Sequence, residues 1–179
     1  MATFTIEAPF GLLFAEVTSN GLRRLDFMGG LREPPLRRAK KPPHELTTAP
    51  LSPAEQTIAS ALETELREYF EGDRRDFDLP LDLGGGSEFR RRVWQQVARI
   101  PYGETLSYAE VAANAGNPSA YRAAGSACGA NPIVILIPCH RVVGSDKRLH
   151  GFGGGLDTKA WLLRHEGREI GAQRELVAV

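Results

Sequence analysis

The apolar positions of this chain change period along its length, and the changes mark its elements. In residues 2–7 and 11–18 the apolar side chains Phe4, Ile6, Leu12, Leu13, Phe14 and Val17 flank Pro9-Phe10-Gly11. Short apolar runs split by a turn signal predict a hairpin, and residues 22–27, after Asn20-Gly21, predict a third strand. Residues 29–53 are rich in Gly, Pro and basic side chains and read as a flexible loop. Ser52-Pro53-Ala54-Glu55 then combines a cap, a first-turn proline and a Glu three residues after the cap, which predicts a helix to about Phe70. Gly72-Asp73 ends it, residues 77–81 read as a short strand or extended piece, and Gly84-Gly85-Gly86 divides a domain 1–84 from a domain 87–179.

Beyond the glycines the period is helical. Ser87 can cap a helix carrying Phe89, Val93, Trp94 and Val97, and Pro101-Tyr102-Gly103 breaks it. Ser107 caps a second helix over 108–115, Gly116-Asn117-Pro118 turns the chain, and Ser119 opens a third helix over 120–128, built largely of small residues. Helix, short glycine turn, helix is the sequence form of a helix-turn-helix, although two packed helices of no special role give the same pattern. One more helix is expected from about Thr158 to the region of Glu166.

Composition narrows the class. A chain of 179 residues with 42% hydrophobic and 25% charged residues has the make-up of a globular protein. No stretch approaches the roughly 18 apolar residues of a membrane span, and residues 1–20 lack a signal-peptide pattern. Two cysteines without secretory context favour reduced thiols and a cytoplasmic location over a disulfide framework. The net charge of zero hides a net of −4 over residues 1–84 and +4 over residues 85–179. Neutrality argues against indiscriminate polyanion binding, yet the basic half can still offer a footprint to phosphates.

The chemistry concentrates at Ile137-Pro138-Cys139-His140-Arg141-Val142-Val143. Histidine and arginine beside a thiol favour the thiolate, the nucleophilic form. A nucleophilic Cys139 needs a base and a group that orients the base. His140 can serve only if the backbone turns there, because a strict strand would send the two side chains to opposite faces; Pro138 makes a turn plausible. Glu166 is the candidate to orient His140. A thiol hydrolase would use the same set but also needs an oxyanion hole, which the sequence does not display. A zinc site from Cys128, Cys139, His140 and His150 lacks metal-ligand spacing, so no metal and no cofactor is expected, and Cys128 reads as a core residue.

An ordered series of blocks sharpens this reading: Phe89-x-x-x-Val93-Trp94, Ile100-Pro101-Tyr102-Gly103-Glu104-Thr105-x-Ser107-Tyr108, Arg122-Ala123-x-Gly125, Asn131-Pro132, the Cys139 heptad, Gly154-Gly155-Leu156, and Leu162-Leu163-x-His165-Glu166. In order and spacing, from about Phe89 to Gly167, the chain resembles the O6-alkylguanine-DNA alkyltransferases; the N-terminal part matches only in outline. The resemblance implies an α+β protein: a small antiparallel sheet with a helix in a ribonuclease-like N-terminal domain, and a mostly helical, winged-helix or helix-turn-helix-like C-terminal domain. It implies a DNA-repair methyltransferase, acting as a monomer on double-stranded DNA containing O6-alkylguanine, that moves the alkyl group irreversibly onto Cys139, once per molecule.

By the same resemblance His140 accepts the thiol proton, Glu166 polarises the imidazole, Tyr108 donates to the departing guanine, and Asn131 ties the third helix to the Cys139 loop. A base inside a duplex hides its O6 atom, so the target must be flipped out. Arg122 corresponds to the finger that fills the vacated stack, with Ser119, Tyr121 and Ala123 beside it in the minor groove. Val142, Phe152 and Gly153 correspond to the base pocket, with residues 153–155 as a flexible lid. Phe152 stands where tyrosine is common, and Gly153 where serine or alanine is common. Two other readings are a damage-sensing alkyltransferase-like DNA-binding protein without repair chemistry, against which the thiol at position 139 argues, and a helix-turn-helix regulator whose cysteine senses alkylation.

Overall fold

The computed structural model describes residues 1–29 and 50–177, so most of the loop expected over 29–53 lies outside the described residues. The chain divides into two compact units, Met1–Gly84 with Pro132–Val134, and Gly85–Asn131 with Ile135–Val179. The three residues at 132–134, which the sequence reading places with the C-terminal half, belong to the first unit.

In the first unit β1 (Ala2–Ala8), β2 (Gly11–Thr18) and β3 (Gly21–Phe27) form an antiparallel sheet in that order. Helix α1 (Pro53–Glu71) packs on it. Central strand β2 is buried on both faces from Leu13 to Val17, and α1 contributes Ile58, Leu62, Leu66 and Tyr69, spaced by three or four residues as one helical face requires. The expected capping box is formed: Glu55 N donates to Ser52 Oγ at 3.4 Å, and Ser52 N to Glu55 Oε2 at 2.9 Å. The Met1 ammonium also pairs with Glu55. Gly72 closes the helix at φ 88°, a left-handed conformation that suits glycine. Of the two forms expected for residues 77–81, the structure has the extended piece and not a strand. Among the described residues Leu81 alone of this piece bridges, to Leu22, and isolated bonds such as Leu22 N to Pro80 O at 2.8 Å hold it. Ile133 bridges Leu25, which fixes the returning segment within this unit.

In the second unit α2 (Glu88–Val97), α3 (Tyr108–Asn114) and α4 (Tyr121–Gly129) pack on one another. Trp94 anchors α2 by donating from its indole to Ala127 O at 2.9 Å. Ser87 and Ser107 cap as expected. Ser119 does not cap α4: its hydroxyl bonds Asn117 Oδ1 at 2.8 Å within the turn, and Ala120 takes the cap position without a side-chain bond. A two-residue parallel pair, β4 (Leu106–Ser107) with β5 (Val142–Val143), joins the start of α3 to the segment after Cys139. Helix α5 (Leu156–His165) starts before Thr158, and Gly155, at φ 87°, takes its cap position.

Candidate active site

Cys139 begins a single 3-10 turn, Cys139–Arg141, so the backbone curls where a strand would have separated the thiol from its neighbour. The turn follows Ile135, a buried β-branched residue held at φ 72°. That conformation is an outlier for such a residue and is the strained kind of backbone found near functional sites. Asn131 uses one amide nitrogen twice, donating to Ile137 O at 2.7 Å and to Cys139 Sγ at 3.2 Å. One bond fixes the turn and the other gives the sulfur a hydrogen-bond donor that favours its anion.

Behind the thiol lies a buried polar chain. His140 Nε2 meets Glu166 Oε1 at 2.8 Å, with both side chains fully buried. Arg141 grips the same carboxylate twice, Nε to Oε2 at 2.9 Å and Nη2 to Oε1 at 3.0 Å, and also donates to Ile100 O. Gly103 N donates to Glu166 Oε2 at 3.3 Å. A side chain at Gly103 would crowd the Glu166 carbonyl, and its φ of 76° also favours glycine. Burial by itself would raise the Glu166 pKa, but the bonds and charges of His140 and Arg141 outweigh it and hold the carboxyl below the usual carboxylate range.

This chain sets the state of the imidazole. A carboxylate only accepts, so His140 Nε2 carries the hydrogen, and Nδ1 keeps the lone pair. Nδ1 is buried and has no hydrogen-bond partner among the described residues. Burial pushes the His140 pKa below its ordinary value, against the pull of Glu166 and with the help of Arg141 and Lys159. Arg141 neutralises Glu166, which leaves His140 uncharged: a base with one open lone pair.

The sequence reading missed Lys159, which is fully buried on α5. Its ammonium donates to Val142 O at 2.6 Å and to His150 O at 3.5 Å, and lies 5.8 Å and 5.7 Å from the ring centres of Tyr108 and Phe152. Burial pushes its pKa down from 10.5 to about 8. Between those values the unfolded chain holds a proton that the folded protein has released, so folding stability rises with pH across that window. Below it both states are charged and the cost of burial is fully present. Chemical denaturation of the wild type and Lys159→Met across that range is expected to show the wild type gaining stability relative to the variant from about pH 8 to about 10.5. A parallel pH dependence in both proteins would remove this role.

The remaining expected residues fall in two places. Tyr108 opens α3, and burial raises its pKa well above the ordinary range. It therefore remains a neutral hydrogen-bond donor. Tyr108 lines a cleft of about 870 Å³ together with Tyr121, Arg122, Gly125 and Ser126 of α4 and residues 144–146, 150 and 151. Tyr121, Arg122 and Ala123 are exposed, and the Arg122 guanidinium lies 5.6 Å from the Tyr121 ring centre. Val142, Phe152 and Gly153 are not part of this lining. Val142 is fully buried, Phe152 is half-buried, and a side chain at Gly153 would meet open space. Gly154 and Gly155 are buried, so of the expected lid only Gly153 is exposed. Arg92 is tied to Ala115 O at 3.0 Å and to Glu88. Cys128 is buried, its pKa pushed up to about 12 by burial. No cluster of three or more His, Cys, Asp or Glu suited to a metal occurs among the described residues, and no described helix is long and apolar enough to cross a membrane.

A neutral, oriented imidazole with one open lone pair beside a thiol is a centre for transfer to sulfur, set next to a helix-turn-helix. Comparison with known proteins places it further. Residues 88–168 match the family model described as the DNA-binding domain of 6-O-methylguanine DNA methyltransferase. A methylated-DNA–protein-cysteine methyltransferase of Mycolicibacterium paratuberculosis is 51% identical over 68% of this chain and 72% of its own. One from Methanosarcina barkeri is 39% identical over 90% and 94%. The crystal structure of Mycobacterium tuberculosis OGT in complex with DNA superposes with a TM-score of 0.75 at 39% identity, covering 90% of both chains. The chain belongs to the methylated-DNA–protein-cysteine methyltransferase family.

Proposed function

We propose that the protein repairs duplex DNA by taking the alkyl group of O6-alkylguanine onto Cys139. The observation that carries this reading is the Arg141–Glu166–His140 chain, which holds the hydrogen on Nε2 and leaves Nδ1, on the residue next to Cys139, without a hydrogen-bond partner among the described residues. In the reaction the Cys139 proton passes to Nδ1, directly or through one water. The sulfur attacks the alkyl carbon, the S–C bond forms as the C–O6 bond breaks, and the electron pair stays on guanine. Tyr108 supports the departing O6 as a hydrogen-bond donor, since its raised pKa opposes full proton release. The product is a thioether with no easily expelled group, so each molecule acts once.

DNA binding falls to the helix-turn-helix, with α4 in the minor groove and Arg122 filling the gap left by the flipped nucleotide. The exposed residues at its start and the small side chains behind them suit close approach to the backbone. The protein acts as a monomer and needs no cofactor. Incubation with a duplex bearing one O6-methylguanine is expected to add a single methyl, mapped by peptide mass to Cys139 and saturating at one per molecule. Cys139→Ala is expected to take up none while still binding DNA. A wild type that binds the lesion and gains no mass would favour the damage-sensor reading.

A further inference from the structure

The family match ends at residue 168, and the segment beyond it has a place in the structure that the transfer chemistry leaves unexplained. Residues 169–177 form a small hairpin: Ile170 bridges Leu176, Gly171 N donates to Glu175 O at 2.9 Å, and Val177 N to Glu169 O at 3.0 Å. Arg174 joins it to the first turn of α5 through Asp157, at 2.6 Å. Leu176 is buried in one apolar cluster with Val143, Leu149, Ala160 and Leu163, and Ile170 packs against it.

The hairpin's outer edge pairs with the loop that follows β5. Leu149 N donates to Arg174 O at 2.9 Å, Leu176 N donates to Lys147 O at 3.0 Å, and Arg148 bridges Glu175. This loop is the wall of the cleft that faces Tyr121 and Arg122, through Gly144, Asp146 and His150. Apart from the hairpin, Leu149 in the same apolar cluster and the Lys159 bond to His150 O at 3.5 Å tie it to the protein. Residues 145–148 are exposed, Lys147 sits at φ 63°, and the internal bonds close only a tight turn, such as Gly144 N to Arg148 O at 2.9 Å. Asp146 and His150 pair at 3.2 Å above Gly144, where a side chain would strike both. Ahead of these two ties, the exposed stretch 145–148 is held in place by the backbone ladder that the hairpin supplies.

We infer that residues 169–177 are a positioning element for the cleft, anchored by Leu176, which shapes the wall that receives the flipped base and leaves the thiol chemistry untouched. The inference rests on the cleft being the base-binding site. The described bonds that hold the site, Asn131 to Ile137 and Cys139 and Glu166 to His140, Arg141 and Gly103, do not involve the hairpin, so its loss should weaken binding without slowing transfer once the base is bound.

The test is single-turnover methyl transfer from an O6-methylguanine duplex, measured against duplex concentration for the wild type, a chain ending at Arg168, Leu176→Ala and Leu176→Met. In the truncated chain and Leu176→Ala the half-saturating concentration is expected to rise about tenfold, the loss of about 1.4 kcal/mol of binding. The limiting rate and the endpoint of one methyl per molecule should hold, and Leu176→Met should restore the wild-type value. Amide exchange is the second readout. It should quicken at Leu149 and the neighbouring loop in Leu176→Ala and remain slow at residues 139–141. An unchanged half-saturation with unchanged exchange would overturn the inference, as would a fall in limiting rate and endpoint together with general loss of protection. A wild type that accepts no methyl would instead overturn the transfer reading, and exchange would still decide whether the hairpin holds the wall.

Discussion

Glu166→Gln is expected to slow methyl transfer by about 10²–10⁴-fold, the span ascribed to a positioned general base. An amide at this position can still accept from His140 Nε2, but it cannot balance the charge of Arg141. The guanidinium is buried and makes two of its bonds to this carboxylate. Left uncompensated, it both opposes imidazolium formation during proton transfer and destabilises the fold, by about 3–5 kcal/mol as for other broken buried pairs. The two effects separate experimentally: the rate loss is read at a temperature where denaturation curves show the variant folded. The wild-type pH profile adds a check. Because the His140 pKa is depressed, the base form persists through neutrality, and activity should decline only below the ordinary histidine range. Stability follows the same sign: as pH falls below about 6.5 the unfolded chain takes up this proton first, and stability is lost. A folded Glu166→Gln protein transferring at the wild-type rate would refute the role given to this carboxylate.

Much of this centre was legible in the sequence because its parts are local. Cys139, His140 and Arg141 are consecutive, and a turn at Pro138 is what the chemistry of the pair demanded. Serine caps at 52, 87 and 107 announced three helices because cap and first turn are neighbours in sequence. What escaped depends on distant pairing. The β4–β5 contact joins Leu106 to Val142 with only two residues on each side, too few to carry a period. Arg141 reads as a helper of the thiol in sequence; in space it serves the carboxylate of Glu166. Ser119 reads as a cap because its type fits, but Asn117 offered its hydroxyl a nearer partner.

Lys159 carries a signal in the sequence that only the helix makes plain. On α5 the apolar positions Leu156, Ala160 and Leu163 recur at intervals of three or four, and Lys159 falls on that stripe. A lysine on the apolar face of a helix is buried at a cost unless a carbonyl meets it. Here the Val142 carbonyl does so, and the bond holds the strand just after the nucleophile to the helix that ends beside Glu166. The fold thus keeps two buried cations, Arg141 and Lys159, close enough to a neutral histidine to act on its charge. Both bear on the same imidazole, since each of their charges disfavours its protonation.

Arg122→Ala is expected to lower transfer from duplex O6-methylguanine by roughly 10- to 100-fold while leaving transfer from the free base O6-methylguanine unchanged. Extruding a nucleotide costs a few kcal/mol of stacking and pairing. Recovering about 1.4–2.8 kcal/mol of that by filling the gap corresponds to the expected range. Arg122 has the position and the shape for it: exposed on the second residue of α4, its planar guanidinium over the Tyr121 ring, at the rim of the cleft. Neither side chain touches Cys139 or His140 in any described bond, so the chemistry itself should not register the change. The free base bypasses extrusion and therefore isolates it. Salt provides the control, because loss of a simple phosphate contact would weaken binding to lesion and undamaged duplex alike and reduce its salt dependence. A gap-filling residue should matter chiefly where a base is flipped. Equal losses on duplex and free base would show that Arg122 supports the fold or the thiol, and the extrusion role would fall.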